Sequence, residues 1–361
     1  MKMKILHCAE TIKGGVATVM KQIIAAQINS PECEKVICLI PDSQREELNE
    51  ISEKNISTFH RTGRNIFSLL NLTVKFFFLL LREKPDVVHL HSTFSGFFAR
   101  LVLILLMPIR RPKVIYCPHA FSFLMENSAI KQRIYIYIER FFSLVTDSII
   151  CVSDYERMKA INCGLKETKL IVIHNGVPPH ASEHAKHQRV NLNLLFVGRL
   201  DFQKGYDVLI EAMRQIHDPT IHLTIVGDSV TKETQKILLD NVTYTGWLKS
   251  AELESHFINS DALIIPSRWE GFAMVPLEAM SYSLPIVSSD STSLPEVVKD
   301  GETGFLFENG NADELREKIL SLKNIDLKVM GANGNRLFRD KFTSESMIEK
   351  TNKLYQEIFL R

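Results

Sequence analysis

The sequence predicts an α/β fold: two tandem doubly wound domains, each a parallel sheet with helices on both faces, with strand ends facing one cleft. Three observations predict it. The chain has 361 residues, enough for two domains with separate cores. Short β-like runs alternate with helical segments along nearly all of it. That alternation halts once, at a polar, proline-led stretch, and then begins again. Alternation of this kind is the mark of a parallel sheet covered on both sides.

The first series of strands is read from "KILHC", "KVICLI", "ISTFH", "DVVHLH", "KVIYC", "SIICV" and "LIVIH". After Val177 comes "PPHASEHAKHQR", which lacks any periodicity. Residues 178–190 are therefore expected to link an N-terminal domain, 1–177, to a C-terminal one, 191–342. The second series alternates "NLLFVG", "HLTIVG", "VTYTG", "ALIIP" and "PIVSS" with the helical segments "YDVLIEAMRQI", "KETQKILL", "SAELESHFI" and "VPLEAMS". A break near Phe342 precedes "SESMIEKTNKLYQEIFL", a helix over 343–361 expected to return to the first domain.

Composition is that of an ordinary soluble chain, 24% charged and 45% hydrophobic. The six cysteines form no CxxC and no Cys/His ligand spacing, which argues against a disulfide framework and a structural zinc; reduced thiols in the cytoplasm are expected. The start, "MKMKILHCAETIKGG", has a short apolar run leading to a Gly-Gly turn and reads as a strand, not a signal peptide. The N-terminal half carries net positive charge, 23 Lys+Arg against 16 Asp+Glu over residues 1–180. "RTGR" (61–64) and "IRRPK" (109–113) lie near "IFSLLNLTVKFFFLLL" (66–81) and "FFARLVLILLM" (97–107). Both apolar segments fall short of the roughly 18–20 residues of a spanning helix, and each carries a charge, Lys75 or Arg100. Two readings stand: buried helices of an α/β domain, or a patch that rests on an anionic membrane.

In doubly wound sheets ligands bind at the strand carboxyl ends, and four segments there carry chemistry. In "TIKGGVATVMKQI", Gly14 and Gly15 open the first helix; a Gly-Gly turn either brings backbone N–H groups to an anion or is merely a turn, and the full dinucleotide fingerprint is absent. His119 ends the strand "VIYCP", where an imidazole can donate to or accept from a hydroxyl at neutral pH, or simply pack. In "FVGRLDFQKGYDVLI", Arg199 and Lys204 flank a polar turn. They are a pair suited to a diphosphate, or else two solvated cations.

The fourth segment is "SRWEGFAMVPLEAM" (267–280), between the strand "ALIIP" and a helix. Pro276 is tolerated only in a first helical turn, so the helix starts at about Met274. Glu270 then lies in the turn and Glu278 within the helix. The N–H groups of Gly271, Phe272, Ala273, Met274 and Val275 make an anion site at the helix start. A bound phosphate would repel carboxylates there, so the two glutamates are assigned to neutral hydroxyls. A sugar nucleotide has hydroxyls on both flanks of a diphosphate.

Glu270 and Glu278, with seven residues between them, resemble the E-x7-E motif of retaining glycosyltransferases of the GT-B fold, family 4. The resemblance also runs through "GGV", "PDVVHLHS", "PHAF", "VIHNGV", "FVGRLDFQKG", "IVGD", "YTGWL" and "LPEVVKDGETGFLF" in that order. It implies two Rossmann-like domains and a metal-independent, cofactor-free hexosyltransferase. The donor would be a nucleotide-diphospho-sugar, by family habit a UDP-sugar, held by the second domain, with the acceptor held by the first. Arg199 and Lys204 would neutralise the diphosphate, helped by Gly14, Gly15 and the helix start after Gly271. Glu278 would take the ribose hydroxyls, Glu270 the transferred sugar, and His119 would support the reacting face. Trp247 and Leu248 would line the nucleobase pocket. The branch of the family implies an acceptor such as a lipid-diphosphate-linked saccharide of O-antigen, capsule or exopolysaccharide synthesis, handled at the cytoplasmic membrane face, with no nucleic-acid partner. The chain departs from the family at "SDSTSLPE" and "IVGDSVTKE". A UDP-sugar 2-epimerase of the same architecture and a non-catalytic sugar-nucleotide scaffold are the rival readings; the ordered charged set disfavours both.

Overall fold

The computed structural model describes residues 2–109, 111–125, 128–180, 191–229 and 236–360, without the side chain of Ser250. They divide into two compact units: Met1–Asn175 with Ser344–Arg361, and Gly176–Thr343. Gly176 and Val177 therefore lie in the second unit, where Val177 bridges to Thr343. Part of the expected linker, 181–190, lies outside the described residues.

The first unit alternates β1 (Met3–Ala9), α1 (Gly15–Ile28), β2 (Cys33–Pro41), β3 (Ile56–Phe59), α2 (Ile66–Glu83), β4 (Val87–His91), α3 (Thr93–Leu106), β5 (Lys113–Cys117), α4 (Ala129–Ser143), β6 (Ser148–Cys151), α5 (Asp154–Asn162) and β7 (Leu170–Val172). Its parallel sheet runs β3-β2-β1-β4-β5-β6-β7, so the order reverses between β1 and β4. Along β4, Val88 and Leu90 enter the core with Leu6 and Cys8 of β1 against Leu72 and Phe76 of α2 and Val102 of α3. Alternation sends His89 and His91 to the opposite face, beside His7, which pairs with His89 in register. The C-terminal helix, Ser344–Leu360, packs with α1, and its Tyr355 meets His89 there.

Local chemistry sets the helix ends. The Asn65 side chain accepts from Ser68 N at 2.9 Å to cap α2. That helix stops at Lys84 in the left-handed conformation, φ 49°, next to Pro85.

The reading of the apolar segments as buried helices holds in part. α2 buries Leu72, Phe76, Leu79 and Leu80 and exposes Phe67, Leu70, Val74 and Phe78 on its outer face. Arg100 of α3 corrects the surface reading: it is fully buried, donates to Glu139 Oε2 at 3.0 Å and Gly96 O at 2.7 Å, and lies over the rings of Tyr116 and Phe142. Tyr116 donates to the same carboxylate at 3.0 Å. Its Nη1 is buried with no hydrogen-bond partner among the described residues; through Nε and Nη2 the buried cation binds α3 to α4 and is withheld from any membrane. The "RTGR" cluster is also partly neutralised, since Arg61 donates to buried Glu10 at 2.8 Å. Among the described residues no helix is long and apolar enough to cross a membrane.

The second unit follows the same plan with β8 (Leu192–Val197), α6 (Tyr206–Arg214), β9 (Ile221–Val226), β10 (Val242–Gly246), α7 (Ser250–Asn259), β11 (Ala262–Ile265), α8 (Met274–Ser281), β12 (Ile286–Ser289), α9 (Leu294–Val297), β13 (Gly304–Phe307), α10 (Ala312–Ser321) and α11 (Leu327–Lys341). Its parallel order is β10-β9-β8-β11-β12-β13, reversing between β8 and β11. Two details differ from expectation. The edge strand β13, "GFLF", is only four residues long and carries no readable period. The helix expected at "KETQKILL" is not there in residues 236–239, which are irregular, and 232–235 lie outside the described residues.

Candidate functional site

In the second unit, the loops after β8 and β11 lie at the point where the strand order reverses. Gly205 holds them together: its φ is 67°, and a Cβ there would lie 1.9 Å from the Pro266 carbonyl oxygen. No other residue fits that approach. The contact is reinforced when Arg268 N donates to Gln203 O at 2.8 Å and Gln203 Nε2 to Trp269 O at 3.2 Å. Arg268 also forks onto both oxygens of Asp207 at 2.7 Å and stacks over Phe202.

That scaffold sets the charged groups. Lys204 Nζ donates to Glu270 Oε1 at 2.6 Å, and Ser267 Oγ donates to the same oxygen at 2.7 Å. Glu270 N donates to Thr292 Oγ1 at 2.9 Å, and Thr292 itself has φ 50°, a conformation a β-branched residue rarely adopts. Glu270 Oε2 accepts no hydrogen bond among the described residues and is open to a hydroxyl. This corrects one expectation: Glu270 is not reserved for neutral hydroxyls, because one of its oxygens holds the ammonium. Arg199 reaches Gln203 Oε1 at 2.7 Å and Asp201 Oδ2 at 3.1 Å, while Asp201 Oδ1 accepts from Lys204 N at 2.9 Å.

The helix α8 starts at Met274, as Pro276 requires, with Ala273 in an extended cap position and no side-chain cap. The amides of Gly271, Ala273, Met274 and Val275 have no acceptor among the described residues. Such orphan donors at a positive helix end suit an anion. Phe272 is buried, so only its backbone can serve. Glu278 lies one turn further along, largely enclosed, its carboxyl group without a hydrogen-bond or ion-pair partner among the described residues; burial raises its pKa above the usual carboxylate value. Trp247 and Leu248 follow Gly246, whose φ is 75° with open space around it. The Trp247 side chain is 57% exposed and has no ring partner among the described residues. The structure does not bring it into contact with the Lys204–Glu270 pair.

In the first unit, Gly14 and Gly15 start α1, uncapped by any side chain. Gly14 has φ 60° and open space where a Cβ would lie. His119 follows β5 with φ 54°, and Ala120 has φ 120°, two strained non-glycine residues in succession. His119 Nε2 lies 3.1 Å from His91 Nδ1, His91 Nε2 lies 3.0 Å from His7 Nδ1, and His7 Nε2 lies 2.7 Å from Gln27 Oε1. Burial lowers the pKa of His7 and of His119 to about 4 and that of His91 well below its usual value. The row is therefore neutral at pH 7.

Against known proteins, residues 13–181 match the family model "Glycosyltransferase Family 4" and residues 182–336 match "Glycosyl transferases group 1". A Klebsiella pneumoniae protein described as "Uncharacterized 41.2 kDa protein in cps region" is 41% identical over 321 residues, 86% of this chain and 87% of that one. The Escherichia coli UDP-Gal:alpha-D-GlcNAc-diphosphoundecaprenol alpha-1,3-galactosyltransferase is 26% identical over 301 residues, 77% of this chain and 76% of that one. The solved structure of Anabaena Alr3699/HepE in complex with UDP is similar with a TM-score of 0.79, covering 98% of this chain and 100% of that chain at 18% identity, a likeness of fold. The architecture is thus that of the GT-B glycosyltransferases, two Rossmann-like units in tandem. The chain belongs to glycosyltransferase family 4 and is a transferase.

The side chains around Arg199, Lys204 and Glu270, namely Asp201, Gln203, Ser267, Arg268 and Thr292, were not singled out from the sequence. Nor was the company of His119. The signal for that was available, since "HLH" on a strand puts His89 and His91 on one face.

Proposed function

We propose that the protein is a retaining glycosyltransferase that moves a sugar from a nucleotide-diphospho-sugar, a UDP-sugar, to a saccharide acceptor carried on a lipid diphosphate, in bacterial surface-polysaccharide assembly. The observation that carries the reading is the Lys204–Glu270 pair at 2.6 Å, four residues ahead of an uncapped helix start. A cation and orphan amides face an anion, while the free Glu270 oxygen and the unpartnered Glu278 are acceptors for hydroxyls. Lys204 and Arg199 neutralise the diphosphate, Gly271–Val275 amides share that charge, and Glu278 takes the ribose. Family correspondence adds Gly14, Gly15 and His119 from the first unit and Trp247 and Leu248 at the nucleobase.

In the step proposed, an acceptor hydroxyl oxygen forms its bond to the anomeric carbon on the face from which the diphosphate oxygen departs. That oxygen takes the hydroxyl proton. The developing oxocarbenium and the leaving diphosphate are stabilised by groups already in place, which is where most of the rate comes from. Glu270, anchored by Lys204 and Ser267, orients the sugar and forms no covalent bond to it.

The lipid-linked acceptor is supported by two features: the substrate named for the E. coli relative and the apolar outer faces of the first unit. Phe67, Leu70, Val74 and Phe78 line α2, and Ile130, Ile134, Tyr137 and Phe141 recur on α4 at helical spacing, with Lys75, Arg82, Lys131 and Arg133 on the same helices. Apolar and basic groups together suit an anionic bilayer surface. Incubation of the protein with UDP-sugars and a polyprenyl-diphosphate saccharide tests the reading. The expected product keeps the donor's anomeric configuration; an inverted product, or donor epimerised without acceptor, would overturn it. Sedimentation with anionic vesicles at low and high salt tests the membrane contact, and no binding in either would remove it.

A further inference from the structure

The first unit holds a row of hydrogen-bonded imidazoles that the transfer reaction does not call for. The tautomer of each ring follows from its neighbours. A carbonyl oxygen can only accept, so at Gln27 Oε1 the His7 Nε2 carries the proton, at 2.7 Å. A neutral imidazole has a single N–H, so His7 Nδ1 is an acceptor and His91 Nε2, 3.0 Å away, donates to it. His91 Nδ1 is then the acceptor for His119 Nε2–H at 3.1 Å. His119 is left with a lone pair on Nδ1. We propose that Gln27, His7 and His91 form a polarised row that holds His119 in the Nε2–H tautomer and leaves its Nδ1 as an acceptor, which makes Gln27 and His91 positioning residues for His119.

Three further observations agree. The row lies in a part of the sheet where His7 and His91 are fully buried. Burial keeps the rings neutral, the state in which one N–H per ring makes the polarity transmissible. The strained backbone of His119 and Ala120 fixes where the row ends, as strain retained at a functional position does. Gln27 is the one member with both a donor and an acceptor end. Turning its amide would reverse all three rings and move the His119 proton to Nδ1.

The competing use of these groups is a metal site. Ring nitrogens of His7, His89 and His91 lie within 4.8 Å of one another, and His89 Nε2 is buried without a partner, while its Nδ1 meets Tyr355 Oη at 2.6 Å. The row is favoured because His7 and His91 already satisfy each other, and His89 and His91 border a cavity of about 10 Å³, room for one water. The two arrangements predict opposite tautomers. A metal on His91 Nε2 would push its proton to Nδ1 and force His119 Nε2 to accept.

The test is histidine-selective ¹⁵N NMR of the full-length protein, with ligand-free samples. The expected spectrum shows His119 protonated at Nε2, with nitrogen–nitrogen couplings through the hydrogen bonds from His7 to His91 and from His91 to His119. A His119 protonated at Nδ1, or absent couplings, would overturn the row whatever the enzyme's activity. Adding zinc chloride is expected to leave these signals unmoved; stoichiometric binding with His119 switched to Nδ1–H would establish the metal site instead. The catalytic link rests on the function proposed above and is tested separately. In Gln27→Leu the kcat should fall in proportion to the lost Nε2–H fraction with donor KM unchanged, and Gln27→Glu, which keeps an acceptor, should restore kcat. Equal kcat in the two variants and wild type would show that the row is structural only, leaving the glycosyltransferase reading intact.

Discussion

Removing one member of the Lys204–Glu270 pair should do different things to stability and to turnover. At 2.6 Å the gross attraction is roughly 6 kcal/mol for an effective dielectric of about 20, most of it offset by desolvation. Breaking a fully buried pair costs about 3–5 kcal/mol. Here the side chains are 20% and 8% exposed, so Lys204→Ala, which strands the more buried carboxylate, should cost about 3 kcal/mol. Glu270→Ala leaves an ammonium that can turn to water and should cost less, about 1–2 kcal/mol. The double variant should be more stable than the sum predicts, by about 2 kcal/mol of coupling. Urea unfolding followed by tryptophan fluorescence reads this in the correct unit, because both tryptophans, Trp247 and Trp269, belong to it. Turnover should fall about 10²–10³-fold in Lys204→Ala, the loss of one preorganised donor to a leaving group. Additive effects on stability, with coupling below about 0.5 kcal/mol, would refute the pairing.

Other predictions follow from the same geometry. Gly205→Ala places a Cβ against Pro266 O at a positive φ and should cost on the order of 3 kcal/mol from strain and clash together, read as a lowered Tm; an unchanged Tm would contradict the loop contact. Glu139→Ala strands Arg100 in the core of the first unit and should cost about 3–5 kcal/mol in urea unfolding, whereas a surface pair would give under about 1 kcal/mol. Burial raises the folded pKa of Glu278 above its ordinary 4.5, so the folded chain keeps a proton the unfolded chain releases, and ligand-free stability is lost as pH rises through that window. Glu278→Gln has no such loss and should melt above wild type at pH 7 but not below pH 4; a wild type more stable at pH 7 would reverse the sign.

Much of this arrangement was legible in the sequence because it depends on local rules. Pro276 can stand only in a first helical turn, and it placed the α8 start and thereby separated Glu270 from Glu278. Strands buried on both faces announce themselves as apolar runs, and β1, β2, β4, β5 and β6 were readable for that reason. What was not legible depends on contacts distant in sequence. The partner of Lys204 lies 66 residues away and that of Arg100 lies 39 away, and no local pattern distinguishes a paired cation from a solvated one. The histidine row joins four elements, α1, β1, β4 and the turn after β5, and only the parallel register brings His7 beside His89.

In the proposed function the second unit holds a nucleotide diphosphate on Lys204, Arg199 and the start of α8. Calorimetric titration of UDP into the wild type and into Lys204→Ala and Arg199→Ala tests it most directly. Binding by the wild type is expected, with a loss of roughly ten- to a hundred-fold in each variant, about 1.4–2.8 kcal/mol per lost charge-assisted contact. Equal affinity in all three proteins would contradict it.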